Sequence, residues 1–239
     1  MTQILLIPGL ICDGHVWTAT QAALSPLTAI VADVTVQPSI TAMAEDLLAR
    51  HGGALILAGH SMGGRVAMEM ARLAPERVVG LALLNTGIHP RKDGEEAKRQ
   101  ALIDLAFAEG MERLAEHWLP GMMAQGLTPD PRMMAGLTSM VSRMTPEIHA
   151  RQMRALLNRP DASQSIGGYG GPMLLIAARQ DQWSPVAQHE EIARLCPQAR
   201  LEIIEAAGHF APVEQPQAVA GLLAQWVAAV LARQTEDAS

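Results

Sequence analysis

The sequence predicts an α/β protein: a sheet of about six mostly parallel strands, helices on both faces, and an all-helical insertion. Three observations lead there. Short, continuous apolar runs recur along the chain, segments of helical period separate most of them, and the alternation stops between residues 87 and 171, where only helical patterns follow one another. Unbroken apolar strands alternating with helices mark parallel strands buried on both faces. In such sheets ligands bind beyond the carboxyl ends of the strands.

The elements follow in order. Residues 4–7 form the first strand, which Pro8-Gly9 ends after four apolar residues; no basic stretch precedes it, so a strand is expected and not a signal peptide. A helix is expected over 17–24, a strand over 28–32, a helix over 40–50 and a strand over 54–58. That last strand runs into Gly59-His60-Ser61-Met62-Gly63 and then a helix over 65–73 with Val66, Met70 and Leu73 on one face. A strand over 78–84 precedes the insertion, whose helical patterns cover 95–108, 111–118, 131–142 and 146–157 and whose far boundary, Gly167-Gly168-Tyr169-Gly170-Gly171-Pro172, suits a hinge. Then come a strand over 173–177, a helix over 185–195, a strand over 201–204 and a helix over 217–231, with the polar tail 234–239 expected to fray. Residues 1–86 and 172–239 thus make a core, and 87–171 a lid over its carboxyl edge.

At 239 residues with 49% apolar and 18% charged side chains, the chain supports one large domain with a well-buried core. Its formal charge of -6 argues against nucleic acid and against anionic membranes as partners. No run reaches the ~18 apolar residues that span a bilayer. The only cysteines, Cys12 and Cys196, form no C-x-x-C spacing, and reduced thiols in the cytoplasm are the simplest expectation.

The chemistry centres on Ser61. A G-x-S-x-G turn between a buried strand and a helix forces the serine into strained dihedrals and presents its hydroxyl at the sheet's edge, above a helix N-terminus that favours negative charge. A serine hydroxyl needs a base, and the base an orienting acid. His209 falls on the loop after the last strand, level with Ser61; Asp181 falls on the loop after the fifth strand, where it would also suit a turn or helix cap. The order Ser61, Asp181, His209 is the one that accompanies this turn. His60 is read as structural, and His51, His89, His117, His149 and His189 as surface or core fillers, with His15 unassigned. For a developing oxyanion the expected donors are the Met62 N–H, next after the nucleophile, and the Leu10 N–H, after Pro8-Gly9. The sequence offers no metal-ligand cluster and no dinucleotide glycine fingerprint, so neither metal nor cofactor is expected.

These motifs together resemble the α/β-hydrolase superfamily from end to end: Pro8-Gly9-Leu10 in the oxyanion loop, Gly59-His60-Ser61-Met62-Gly63-Gly64, Arg179-Gln180-Asp181 with Pro185 after it, and Gly208-His209 followed by Glu214-Gln215-Pro216. The likeness is greatest to the small, lidded, bacterial esterase-like branch, with Pro8 where many relatives carry a packing histidine. The resemblance implies a serine hydrolase of carboxylic esters, lactones or thioesters. Carbon–carbon bond hydrolysis and cofactor-free peroxidation use the same parts in related enzymes, and a ligand-binding module that retains the triad is the alternative of another class. The insertion holds eight of the 14 methionines, and Met122, Met123, Met133, Met134 and Met140 are the candidates to line an apolar substrate pocket. It also holds five arginines from Arg132 to Arg159; Arg143, Glu147 and Arg151 suit an i,i+4 ladder, while an anionic substrate or an acidic acyl-carrier partner is the sharper reading.

Overall fold

In a computed structural model that describes residues 2–237, six strands form one sheet: β1 (Gln3–Ile7), β2 (Ala29–Val31), β3 (Leu55–His60), β4 (Val78–Leu84), β5 (Met173–Ala178) and β6 (Ala199–Ile204). Their order is β2-β1-β3-β4-β5-β6 and every pairing is parallel, with Ile7 opposite Gly59 and His60 opposite Leu84. Leu5, Leu6, Ile7, Leu55, Ile56 and Leu57 are fully buried, as expected of strands covered on both faces. Truncating any one of these leucines to alanine would cost about 2–5 kcal/mol in lost transfer energy and cavity formation. The chain direction across the sheet reverses between β1 and β3. That switch point opens a crevice at their carboxyl ends, where Leu10 and Ser61 sit.

Helices α1 (Thr18–Leu24), α2 (Ile40–Arg50), α3 (Met62–Leu73), α7 (Val186–Leu195), α8 (Ala211–Glu214) and α9 (Pro216–Asp237) flank the sheet. Ser39 caps α2 by accepting the Ala42 N–H, and Glu69 ties α2 to α3 by accepting from Thr41 and Arg72. Helix α9 runs past the expected end at 231 into the polar tail, of which residues 238 and 239 lie outside the described residues.

Between β4 and β5, only helices are found among the described residues: α4 (Glu95–Trp118), α5 (Pro131–Ser142) and α6 (Pro146–Leu157), with short 3-10 turns. The two expected segments, 95–108 and 111–118, are joined in α4 across a kink at Gly110, whose φ of 86° requires a residue without a side chain. Pro131 and Pro146 start α5 and α6 at the positions where a missing N–H costs nothing, behind the capping residues Asp130 and Thr145. The glycine run at 167–171, expected to suit a hinge, carries one buried anchor. Tyr169 within it is buried and donates to the Val78 carbonyl, Gln198 reaches the Tyr169 carbonyl, and a Cβ on Gly171 would strike the Tyr169 ring. One aromatic anchor thus ties the glycines to the sheet.

Candidate active site

Strand β3 ends in a turn that only small residues permit. Ser61 has φ 54° and ψ -114°, a region costing a non-glycine residue about 1–3 kcal/mol. Neighbouring bonds hold it there: the Ser61 N–H donates to the Leu84 carbonyl at 2.9 Å, and its carbonyl accepts from Thr86 Oγ1 at 2.8 Å. A Cβ on Gly59 would strike the backbone of Gly63, and one on Gly63 the backbone of Ile7. Thr86 is braced in turn by His189, a buried ring that accepts the Thr86 N–H at 3.2 Å; burial lowers its pKa to about 4, so it does so as a neutral base.

Three side chains from three loops form a hydrogen-bonded line. Ser61 Oγ lies 2.7 Å from His209 Nε2, and His209 Nδ1 lies 2.9 Å from Asp181 Oδ2. Burial alone would raise the Asp181 pKa. The adjacent His209 charge, the hydrogen bond from His209, the Ser184 N–H and the Asn85 side chain outweigh it and hold the carboxyl well below the usual range. With Asp181 ionised, Nδ1 of His209 is the donor, which leaves Nε2 to accept the serine proton. Asp181 also makes the turn expected of it: Oδ1 accepts from the Trp183 and Ser184 N–H groups at 2.8 and 2.9 Å, so each oxygen has its own task.

Three residues support this line, of which Asn85 was not singled out from the sequence. Asn85, at the end of β4 with φ 47°, donates to Asp181 Oδ2 at 2.9 Å and to the Gly208 carbonyl at 3.3 Å. Glu214 accepts from the Ala124, Gly208 and Phe210 N–H groups at 2.8, 2.9 and 3.2 Å, and so ties the His209 loop to the segment after α4. His60 Nε2 donates to the His209 carbonyl at 2.8 Å; burial, and then the His209 charge, lowers its pKa to about 3. It is a buried neutral brace, in keeping with the structural role expected.

Leu10 and Met62 both border the cavity at Ser61, and among the described residues neither N–H meets an acceptor. The Met62 N–H is one of the free donors of the α3 N-terminus. Beyond Leu10 the chain turns through Ile11 at φ 47°, and the Ile11 N–H donates at 2.7 Å to Oε1 of the fully buried Gln152, from α6. Nε2 of Gln152 donates onward to the Val34 carbonyl at 3.1 Å. A helix of the insertion therefore holds the loop after β1 in shape.

The cavity, about 470 Å³, is lined by Ser61 and His209 and, from the helical segment, by Trp118, Met122, Met153 and Leu156. Of the five methionines expected to line it, only Met122 does. Met123 and Met133 border a separate groove beside Glu214, while Met134 and Met140 line neither, Met140 being fully buried against its neighbours. Helical period identifies the apolar face of a helix but not which part of that face meets a cavity. The arginine ladder is also absent: Arg143 reaches Asp13 at 2.7 Å, Arg151 the Thr35 carbonyl at 2.6 Å, and only Arg159 of the five borders the cavity.

Residues 4–222 match the family model described as "Alpha/beta hydrolase family". The chain belongs to that family. Among curated relatives of this hydrolase, the 2-succinyl-6-hydroxy-2,4-cyclohexadiene-1-carboxylate synthase of Salmonella schwarzengrund (strain CVM19633) is 30% identical over 178 residues, which are 71% of this chain and 66% of that one. The 3-oxoadipate enol-lactonase 2 of Acinetobacter baylyi is 29% identical, over 67% of this chain and 58% of that one. Among solved structures, a thermophilic esterase from Thermogutta terrifontis, with malate bound, superposes with a TM-score of 0.87 at 27% identity, covering 96% of this chain and 90% of that one. Among the described residues of this hydrolase no helix is long and apolar enough to cross a membrane.

Proposed function

We propose that this hydrolase cleaves small carboxylic esters or lactones through an acyl-enzyme on Ser61, with thioesters open to the same chemistry. The observation that carries the reading is the line Ser61 Oγ, His209, Asp181, with contacts of 2.7 and 2.9 Å. Ser61 Oγ attacks the carbonyl carbon as His209 Nε2 takes its proton, and Asp181 stabilises the imidazolium. The carbonyl oxygen gains charge and accepts from the Leu10 and Met62 N–H groups, which have no acceptor among the described residues. The tetrahedral intermediate collapses, the C–O bond to the alcohol breaks, and His209 returns the proton to the leaving oxygen. Water, deprotonated by His209, then attacks the acyl carbon, releases the acid and restores Ser61 Oγ–H.

The helices of 87–171 act as a lid in this reading: their apolar residues border the cavity that holds Ser61, and Met122 is the methionine placed to sense the acyl chain. The two buried, unbridged cysteines suit a reducing, cytoplasmic setting. The relatives named above as an esterase and an enol-lactonase support the substrate class. The test is turnover of p-nitrophenyl acetate through octanoate, of γ-lactones and of thioesters, by the wild type and Ser61→Ala. Ester or lactone turnover that falls on the order of 10⁶-fold in Ser61→Ala is expected. Tight ligand binding without turnover by the wild type would overturn the reading in favour of a binding module.

A further inference from the structure

We propose that Arg65 holds a carboxylate of the substrate, so that the ester or lactone cleaved is an acidic one whose anionic group stands a short spacer from the scissile carbonyl. The inference rests on the reading of Ser61 as the nucleophile for its distance argument alone; the anion site is carried by charges in the cavity.

Arg65 follows Ser61 by four residues, on the first turn of α3, and both border the same cavity. Its guanidinium donates to one partner, the His89 carbonyl at 3.0 Å, and among the described residues no carboxylate pairs with it. Two carboxylates, Glu95 and Asp161, act on it without pairing, and both are taken: Asp161 accepts from the Ser163 N–H and hydroxyl and from the Gln164 side chain. Glu95 Oε1 accepts from Arg99 and Arg159 at 2.7 Å each, and Oε2 accepts from Arg159 at 2.8 Å. Around the cavity Arg65, Arg99, Arg159, Lys92 and Lys98 stand against Asp93 and Glu95, an excess of cations in a chain of formal charge -6.

Burial, and then the Arg159 charge, pushes the Arg65 pKa down to about 9, so its charge is held there at a cost. An anion entering the cavity relieves that cost and takes a fork of donors that suits a carboxylate. The rest of the wall selects among anions. Leu102, Trp118, Met122, Met153 and Leu156 are apolar, which suits a single carboxylate on a hydrocarbon spacer and not a polyphosphate.

The test compares monoethyl succinate, glutarate and adipate with neutral ethyl esters of equal length, by pH-stat, on the wild type, Arg65→Gln and Arg65→Lys. Glutarate binding to Ser61→Ala, with and without Arg65→Gln, is measured by calorimetry. The wild type should favour the acidic ester at least tenfold in kcat/KM, mainly through KM. That ratio should collapse at least tenfold in Arg65→Gln and partly recover in Arg65→Lys. Ser61→Ala should bind glutarate, and the double variant should bind it at least tenfold more weakly. Equal kcat/KM for acidic and neutral esters in the wild type, or a ratio unchanged by Arg65→Gln, would overturn the proposal while leaving ester hydrolysis standing. Arg65-dependent glutarate binding without hydrolysis of any ester would uphold the anion site and defeat the hydrolytic reading. Should melting curves show that Arg65→Gln does not fold, the wild-type ratio and its fall with added salt decide the matter.

Discussion

Gln152→Leu tests whether the insertion shapes the loop that carries the Leu10 N–H. The side chain is fully buried, and leucine nearly matches its volume, so packing changes little. Two hydrogen bonds are lost, to the Ile11 N–H at 2.7 Å and the Val34 carbonyl at 3.1 Å, each leaving a buried backbone group without a partner. At about 1–3 kcal/mol per unsatisfied group the loss is about 2–6 kcal/mol. Relaxation of Ile11 from φ 47° returns about 1–2 kcal/mol of that. A net loss of about 1–4 kcal/mol by urea unfolding is therefore expected. Deleting an oxyanion donor outright costs about 10²–10³ in kcat; here the Leu10 N–H is displaced and not deleted, so a fall on the order of 10–100-fold is expected. The assay is kcat on p-nitrophenyl acetate at a urea concentration where both proteins are folded. A variant within about 0.5 kcal/mol of wild type and with full kcat would refute the reasoning, since surface-like tolerance is incompatible with a buried bridge. The Cys12 N–H to Gly9 carbonyl turn would then suffice to hold the loop.

Four further variants test the geometry. Asp181→Asn should lower kcat on the order of 10⁴-fold, the drop measured for the corresponding change in a serine protease triad, with KM little changed. Because the folded Asp181 pKa lies below its unfolded value, the stabilisation is present above the unfolded carboxylate range, about pH 4, and drains as pH falls below it; the gap in unfolding free energy between wild type and Asp181→Asn should narrow accordingly. Met122→Ala should shift acyl-chain preference between acetate and octanoate esters. Met140→Ala, at a fully buried site away from the cavity, should cost about 2–5 kcal/mol in stability with unchanged preference, as read by chemical denaturation and the same ester series. Glu214→Ala strips the acceptor from three N–H groups around His209, and kcat should fall together with stability in parallel kinetic and melting measurements.

The strands were legible because a parallel sheet covered on both faces leaves unbroken apolar runs such as Ile4–Ile7 of β1 and Val78–Leu84 of β4. Helix ends were less so: α3 begins at Met62 and not at 65 because the elbow glycines Gly63 and Gly64, poor helix formers in isolation, are held helical by close packing against β1 and Thr86. Ser61, Asp181 and His209 could be picked out because each lies on a loop just after a strand. Asn85 shares that placement, a lone amide after Leu81-Ala82-Leu83-Leu84, and this signal could have found it. Gln152 offers no such signal: within α6 it reads as one polar residue of an amphipathic helix, and only the tertiary packing of the insertion onto the loops after β1 and β2 buries it. Arg65 escaped for the same reason, because its lack of a carboxylate partner is a property of the folded cavity.

Covalent labelling tests Ser61 as the nucleophile most directly. The purified protein is treated with a fluorophosphonate, digested, and the modified peptide sequenced by mass spectrometry, alongside His209→Ala and Ser61→Ala. One equivalent on Ser61 is expected, forming orders of magnitude more slowly in His209→Ala, where no base takes the serine proton, and absent in Ser61→Ala. Label on any other residue, or none on a folded wild-type protein, would contradict it.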